Sequence, residues 1–186
     1  ASFGRLFLYI YFMRGNILIA SPNLLFDSFF SKTIILLVDE TKDGHTGFIL
    51  NKPLKIKIKE IESLEIYKGG PVSNDNLYFI YKTKSPIKGS LKISDNVYWG
   101  GNIDEVFKMI KENIINTNSI RFFIGYSGWD HNQLEVEIKN KNWIVKKNKA
   151  ENILSINSQK HWRDEMKKLG GEYLLWSESP DNPIFN

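Results

Sequence analysis

The sequence predicts an α/β (α+β) fold, a mixed β-sheet with packed helices in a single compact domain. Three observations lead there. Short, β-branched apolar runs bounded by turn residues recur along the chain, as in Thr33–Val38. Two segments, Ile103–Ile114 and Ser158–Leu169, instead repeat apolar residues at helical spacing. The 186 residues are 42% hydrophobic and 25% charged, enough for one core in one domain. No linker divides the chain, and no repeat of solenoid period is visible.

Taken in order, residues 1–14 place Arg5 before the apolar run Leu6–Met13, too short to span a bilayer and followed by no small-residue cleavage pattern. They read as an apolar arm packed on the domain or on a partner subunit, ahead of a domain over 15–186. Asn16–Ala20 is a short strand stopped by Ser21-Pro22. Thr33–Val38 is a buried strand, and Lys42-Asp43-Gly44 turns it into a hairpin with Gly47–Leu50. Leu54–Glu60 alternates Leu54, Ile56 and Ile58 with Lys55, Lys57 and Lys59, the pattern of a lysine-studded edge strand. Leu77–Tyr81 and Ile120–Tyr126 are further strands, with a polar loop around Pro86 after the first.

Ile103–Ile114 is a helix opened by the capping pair Asn102 and Glu105, with Ile103, Val106, Phe107, Ile110 and Ile114 on one stripe. Asp130–Asn140 opens with the Asp-x-x-Gln form of a capping box and reads as helix. Ser158–Leu169 buries Trp162, Met166 and Leu169 and stops at Gly170-Gly171. The tail carries Pro180 and Pro183 and is not helical.

Composition excludes several chemistries. With no cysteine there is no thiolate nucleophile, disulfide, cysteine zinc site or iron–sulfur cluster, and a cytoplasmic location is expected. The net charge of +4 is spread among acids, which suits a solvated lysine-rich surface better than a nucleic-acid footprint. His45, His131 and His161 lie far apart, without metal-ligand spacing, and read as surface residues. No phosphate-binding or dinucleotide glycine loop and no helix-turn-helix signature is present. Gly125-Tyr126-Ser127-Gly128-Trp129 imitates a nucleophile elbow, but Trp129 stands where the final glycine belongs.

Three glycine-rich segments stand out: Tyr67–Pro71, Tyr98–Asn102 and Gly125–Trp129. Each follows a β-like stretch and is read as a turn able to lead into a helix, with Pro71 suited to a first helical position and Asn102 to an N-cap. The preceding strands are expected in one sheet, with the turns at a common edge.

The chain also resembles the YqgE/AlgH family of bacterial proteins. The resemblance rests on Asn16–Pro22 with Asp27 and Phe30, on Gly47–Leu54 with its Leu-Asn-Lys-Pro-Leu, and on Gly69-Gly70-Pro71-Val72. It continues through Gly125–Trp129 with Gln133, Leu134 and Glu137, then Trp143, Trp162 and Pro183–Asn186. It implies a compact α/β fold with a mixed sheet and brings no established activity. Some members are labelled transcriptional regulators, and many carry alanine where this chain has Ser127.

The leading functional reading is a non-catalytic regulatory domain that binds a small anionic ligand or a protein partner near the glycine turns. Asn51, Gly69, Gly70, Tyr126, Trp129 and Gln133 are its expected site residues. Asn51 and Gln133 supply donors and acceptors, while Tyr126 and Trp129 supply flat amphipathic surface. The alternatives are a DNA-associated regulator working through scattered lysines and a hydrolase acting on an anionic substrate. No catalytic residue, metal site, cofactor or membrane partner is expected.

Overall fold

The computed structural model of the chain describes residues 13–62, 64–147 and 150–180. Ten strands join in one sheet: β1 (Asn16–Ala20), β2 (Ile34–Thr41), β3 (Gly44–Ile49), β4 (Pro53–Leu54), β5 (Ile66–Lys68), β6 (Val72–Lys82), β7 (Leu91–Ser94), β8 (Val97–Trp99), β9 (Ile120–Asp130) and β10 (Trp143–Lys147). The order across the sheet is β10-β1-β2-β3-β9-β6-β8-β7, with β5 beside β9 and β4 beside β5. Pairing is antiparallel except between β5 and β9, so the sheet is mixed, as the sequence predicts.

The helices are α1 (Ile103–Lys111), α2 (Gln133–Lys139), α3 (Gln159–Leu169) and α4 (Glu172–Ser177). Each of the first three covers its own part of the core. Val106 of α1 packs with Phe79, Tyr81 and Phe122. Leu134 of α2 packs with Leu18, Ile35, Trp129 and Trp143. Trp162 and Met166 of α3 pack with Ile34, Leu36 and Phe48, and the Trp162 indole donates to the Ala20 carbonyl at 2.8 Å. That bond lets a large aromatic sit fully buried with its polar tip satisfied.

Several boundaries differ from the expectation, each for a local reason. The lysine-studded segment is not a strand: only Pro53–Leu54 pairs, and Lys59–Ile61 forms a 3-10 turn. Leu54 and Ile58 reach the core but Ile56 between them is 39% exposed, so the segment does not turn one alternating face inward as a strand would. The helix from Ile103 ends at Lys111 because Asn113 turns into the left-handed region, and Ile114 is left 61% exposed. Leu169, expected in the core, is 44% exposed at the end of α3.

Asp130 remains in β9, opposite Gly44, and left-handed Asn132 starts α2 only at Gln133. The reach-back half of the capping box survives, because Gln133 Oε1 accepts the Asp130 N–H at 2.9 Å. Helix α4, which ends at Ser177 ahead of Pro180, corrects the expectation of a non-helical tail. It lies beyond the Gly170-Gly171 stop and is tied back to α3 through Arg163, which donates to the Ser177 carbonyl. Of the expected arm, residues 1–12 lie outside the described residues. Met13 is buried against the β-sheet, and its N–H donates to Glu40 Oε2 at 3.0 Å. Pro183 likewise lies outside the described residues.

Candidate functional site

The glycine segments are explained first by how the chain passes over itself. β5 lies on one side of β9 and β6 on the other, so Gly69-Gly70-Pro71 must cross β9 between them. The two backbones nearly touch there. A Cβ on Gly69 would stand 2.1 Å from the Gly125 carbonyl oxygen, and one on Gly70 would stand 2.2 Å from Tyr126 main-chain atoms. Gly125 itself has φ +71°, within an otherwise continuous strand. Only residues without a side chain permit that approach.

Two of the expected turns are thereby corrected. Gly69–Pro71 leads into strand β6 rather than a helix, and Gly125–Trp129 is the second half of β9 rather than a turn. Gly100-Gly101 does precede a helix, with Asn102 Oδ1 accepting the Asp104 and Glu105 N–H groups as its cap. The strands before all three segments share one sheet. A common edge is not formed, because β9 lies between β3 and β6 inside the sheet.

Ser127 is fully buried beside the crossing and donates to the Gly69 carbonyl at 3.1 Å. Its hydroxyl is occupied by main chain, which disposes of the elbow comparison. His45, expected at the surface, is buried, with Nε2 3.7 Å from Glu40 Oε1 and 3.8 Å from Glu135 Oε1.

The six expected site residues are not gathered in one opening. Asn51 is 1% exposed, accepting the Ile34 N–H at 2.9 Å and donating to the Lys32 carbonyl at 2.8 Å. Its buried amide bridges the main chain of Lys32 and Ile34 rather than facing an opening. Trp129 is 4% exposed rather than cleft-lining, and both it and Trp143 donate indole N–H groups to Glu137 Oε2, at 3.0 and 2.7 Å. Gln133 is exposed, with its amide shared between Asp130 and Glu137. Gly69 and Gly70 form the crossing. Tyr126 is half-buried, edge-on to Tyr78 at 5.8 Å between ring centres.

A polar cleft lies elsewhere, around Arg121. This cleft, about 560 Å³, is lined among others by Glu65, Tyr67, Asn118, Arg121, Ser155 and Asn157. Arg121 is 6% exposed. Its guanidinium donates to the carbonyls of Leu50, Leu154 and Ile156 and lies 4.2 Å from the centre of the Tyr67 ring. Among the described residues no carboxylate forms an ion pair with it. Burial lowers its pKa, with Tyr67 and Glu65 pulling the other way, yet a guanidinium stays charged throughout the ordinary range. Tyr67 donates its hydroxyl to Glu65 Oε2 at 2.7 Å. Burial, helped by that bond and opposed by Arg121, pushes the phenol up to about 12. The cleft therefore holds a fixed cation, the Glu65 carboxylate engaged by a neutral phenol, and several uncharged amide and hydroxyl groups.

Sequence reasoning passed over Arg121. The signal was present, since it is the one charged residue in the apolar run Ile120-Arg121-Phe122-Phe123-Ile124. Among the described residues no cluster of His, Asp and Glu could hold a metal ion, and no helix is long and apolar enough to cross a membrane.

The comparisons place this architecture. The AlgH-like family model (DUF179) matches residues 17–174. A UPF0301 protein of Bacteroides thetaiotaomicron is 38% identical over 180 residues, covering 93% of this chain and 91% of the relative. Another, from Chlorobium limicola, is also 38% identical, over 178 residues, covering 92% and 95%. The solution structure of AlgH from Pseudomonas aeruginosa, a UPF0301 protein, superposes with a TM-score of 0.70 at 19% identity, over 93% of this chain and 97% of that one. The crystal structure of DIP2367 from Corynebacterium diphtheriae does so with a TM-score of 0.71 at 18% identity, over 94% and 98%. The linked glycine crossing, the mixed sheet and the match along nearly the whole chain lead to one conclusion: this protein belongs to the AlgH-like family, for which no specific function is established.

Proposed function

We propose that the chain is a non-catalytic regulatory domain of the cytoplasm that binds a small anionic ligand in the Arg121 cleft. One observation carries this reading: a buried guanidinium with no acidic ion-pair partner lines a cleft large enough for a metabolite. A buried cation is costly unless opposite charge or dense hydrogen bonding offsets it, and here three carbonyl dipoles, the Tyr67 ring and the charge of nearby Glu65 share that role without a direct ion pair. An anion reaching the cleft meets a guanidinium that no direct ion pair neutralises, in a medium that screens it poorly. Asn118, Ser155 and Asn157 add polar groups at its wall. The cysteine-free composition suits a cytoplasmic setting.

The test is denaturation of the protein with inorganic phosphate, succinate and AMP. At least one should stabilise the fold in a saturable way, by ~2.7 kcal/mol at about 100 times its dissociation constant. Asn118→Asp, at an exposed position, should leave the fold intact and abolish that response by placing a like charge at the wall. No stabilisation by any of the three, or an unchanged response in Asn118→Asp, overturns the reading.

A further inference from the structure

A second cavity, of about 530 Å³, lies between β6 and the chain that leaves β8 for α1. Its walls come from both faces of the sheet. Tyr78 and Trp99 pack with the core around Phe48, whereas Leu77, Phe79 and Ile103 pack with the core around Phe122. An opening that meets both faces beside a strand lies in the plane of the sheet, where a neighbouring strand would run.

The ladder shows which main-chain groups face this slot. Thr83 N–H donates to the Asn96 carbonyl, and the Phe79 carbonyl accepts from Gly100 N–H at 3.3 Å, so Phe79, Tyr81 and Thr83 turn toward β8. Tyr78 and Ile80, between them, turn toward β9 opposite Phe123 and Arg121. By the same alternation half-buried Leu77 turns its N–H and carbonyl away from β9. β8 does not reach it, because Gly100 and Gly101 leave the ladder with φ +74° and +103°. Nor does the Phe79 N–H donate to the Gly100 carbonyl in return.

We infer that this slot receives a short extended peptide of another protein as an added strand beside β6, starting opposite Leu77. Main-chain donors and acceptors at strand spacing recognise the same groups of an extended chain, whatever its sequence. Side chains narrow the choice. Successive residues of the added strand face the Tyr78–Trp99 wall and the Leu77–Ile103 wall in turn, and both walls are apolar. The peptide is therefore a continuous apolar run rather than an alternating one. A wall from Asn76 to Phe79 matches about three residues at ~3.3 Å each. The slot is separate from the Arg121 cleft and stands whether or not that cleft binds an anion.

The probe is acetyl-Lys-Val-Ile-Val-Lys-amide, compared with the same peptide methylated on its three apolar nitrogens, which keeps the side chains and removes the donors. Titrated into isotope-labelled protein at millimolar concentration, the first should shift the Leu77 and Phe79 amide resonances together. Tyr78 and Ile80, which face β9, should barely move. The methylated peptide should bind at least about tenfold more weakly, the ratio that one lost hydrogen bond commands. Leu77→Pro deletes a donor on the open edge alone, and should also weaken the first peptide about tenfold. No shift, equal binding of the methylated peptide, equal movement at Tyr78 and Ile80, or unchanged affinity in a folded Leu77→Pro protein overturns the inference. So does a Leu77 amide slow to exchange without peptide: at high dilution the chain fills its own slot, and if protection grows with concentration a second copy does. If Leu77→Pro does not fold, the two peptides on the unaltered protein decide.

Discussion

The Ser127 hydroxyl donates to the Gly69 carbonyl at 3.1 Å, tying the two backbones that cross at the centre of the sheet. The site needs a small side chain and gains little from the hydroxyl. Ser127→Ala should therefore fold normally and lose only about 1 kcal/mol in urea denaturation, the net worth of one hydrogen bond. Gly70→Ala, by contrast, places a methyl 2.2 Å from Tyr126 main-chain atoms and should prevent folding. Circular dichroism of the two variants checks both outcomes.

Trp129 and Gln133, four positions apart in the chain, should respond very differently. Trp129 is buried against Phe30 and Trp143, so Trp129→Ala should cost ~3–5 kcal/mol of stability. Gln133→Ala removes one capping contact at an exposed position and should cost about 1 kcal/mol. Paired denaturant melts measure both.

Arg121→Met removes a buried cation while orphaning the Leu50, Leu154 and Ile156 carbonyls. A loss of at least ~3 kcal/mol is expected, with earlier release of segment 150–156 than of the sheet. Hydrogen exchange resolves the two, and uniform loss of protection across the chain would contradict the assignment.

Glu165 on α3 accepts from Lys146 of the edge strand β10 and from Lys168. Burial alone would raise its pKa, but the bonds and charges of the two lysines leave it below 4.5. A carboxylate depressed in the folded state contributes stability that is complete above its unfolded value and is lost as pH falls through its folded value. Glu165→Gln should flatten the decline in stability below about pH 4.5 and change little at pH 7, as acid titration followed by fluorescence will show.

The net charge is only +4, and the lysines are scattered among acids along the chain. Any association with duplex DNA should be weak, indifferent to sequence and steeply reduced by salt. Tight, sequence-selective binding at physiological ionic strength in a filter assay would reverse that expectation.

The sheet was legible in the sequence wherever a burial pattern matched a strand period, as in Ile34–Val38 and Ile120–Ile124. Helix α1 was legible through Asn102, whose cap forms as predicted. The glycine segments stand out in the sequence but read as turns, because glycine at a turn and glycine at a backbone crossing leave the same letters. Which of the two applies depends on β5 and β6 flanking β9, a relation between residues far apart in the chain. For the same reason Asn51 read as an open amide: its partners, Lys32 and Ile34, come from another strand's approach. Arg121 escapes sequence reasoning because a lone charge in a strand declares its surroundings only once the neighbouring loops are placed.

The crossing at Gly69 and Gly70 also bears on how the chain comes together during synthesis. β3, β5 and β6 all take a ladder from β9, which is made after them. Until β9 follows, they lack their shared central partner, and Phe48, Ile66 and Ile80 cannot be covered as they are in the finished sheet. A nascent chain ending before residue 120 is thus a ready client for chaperones, and closure of the sheet is governed by distant pairing rather than by local helix formation.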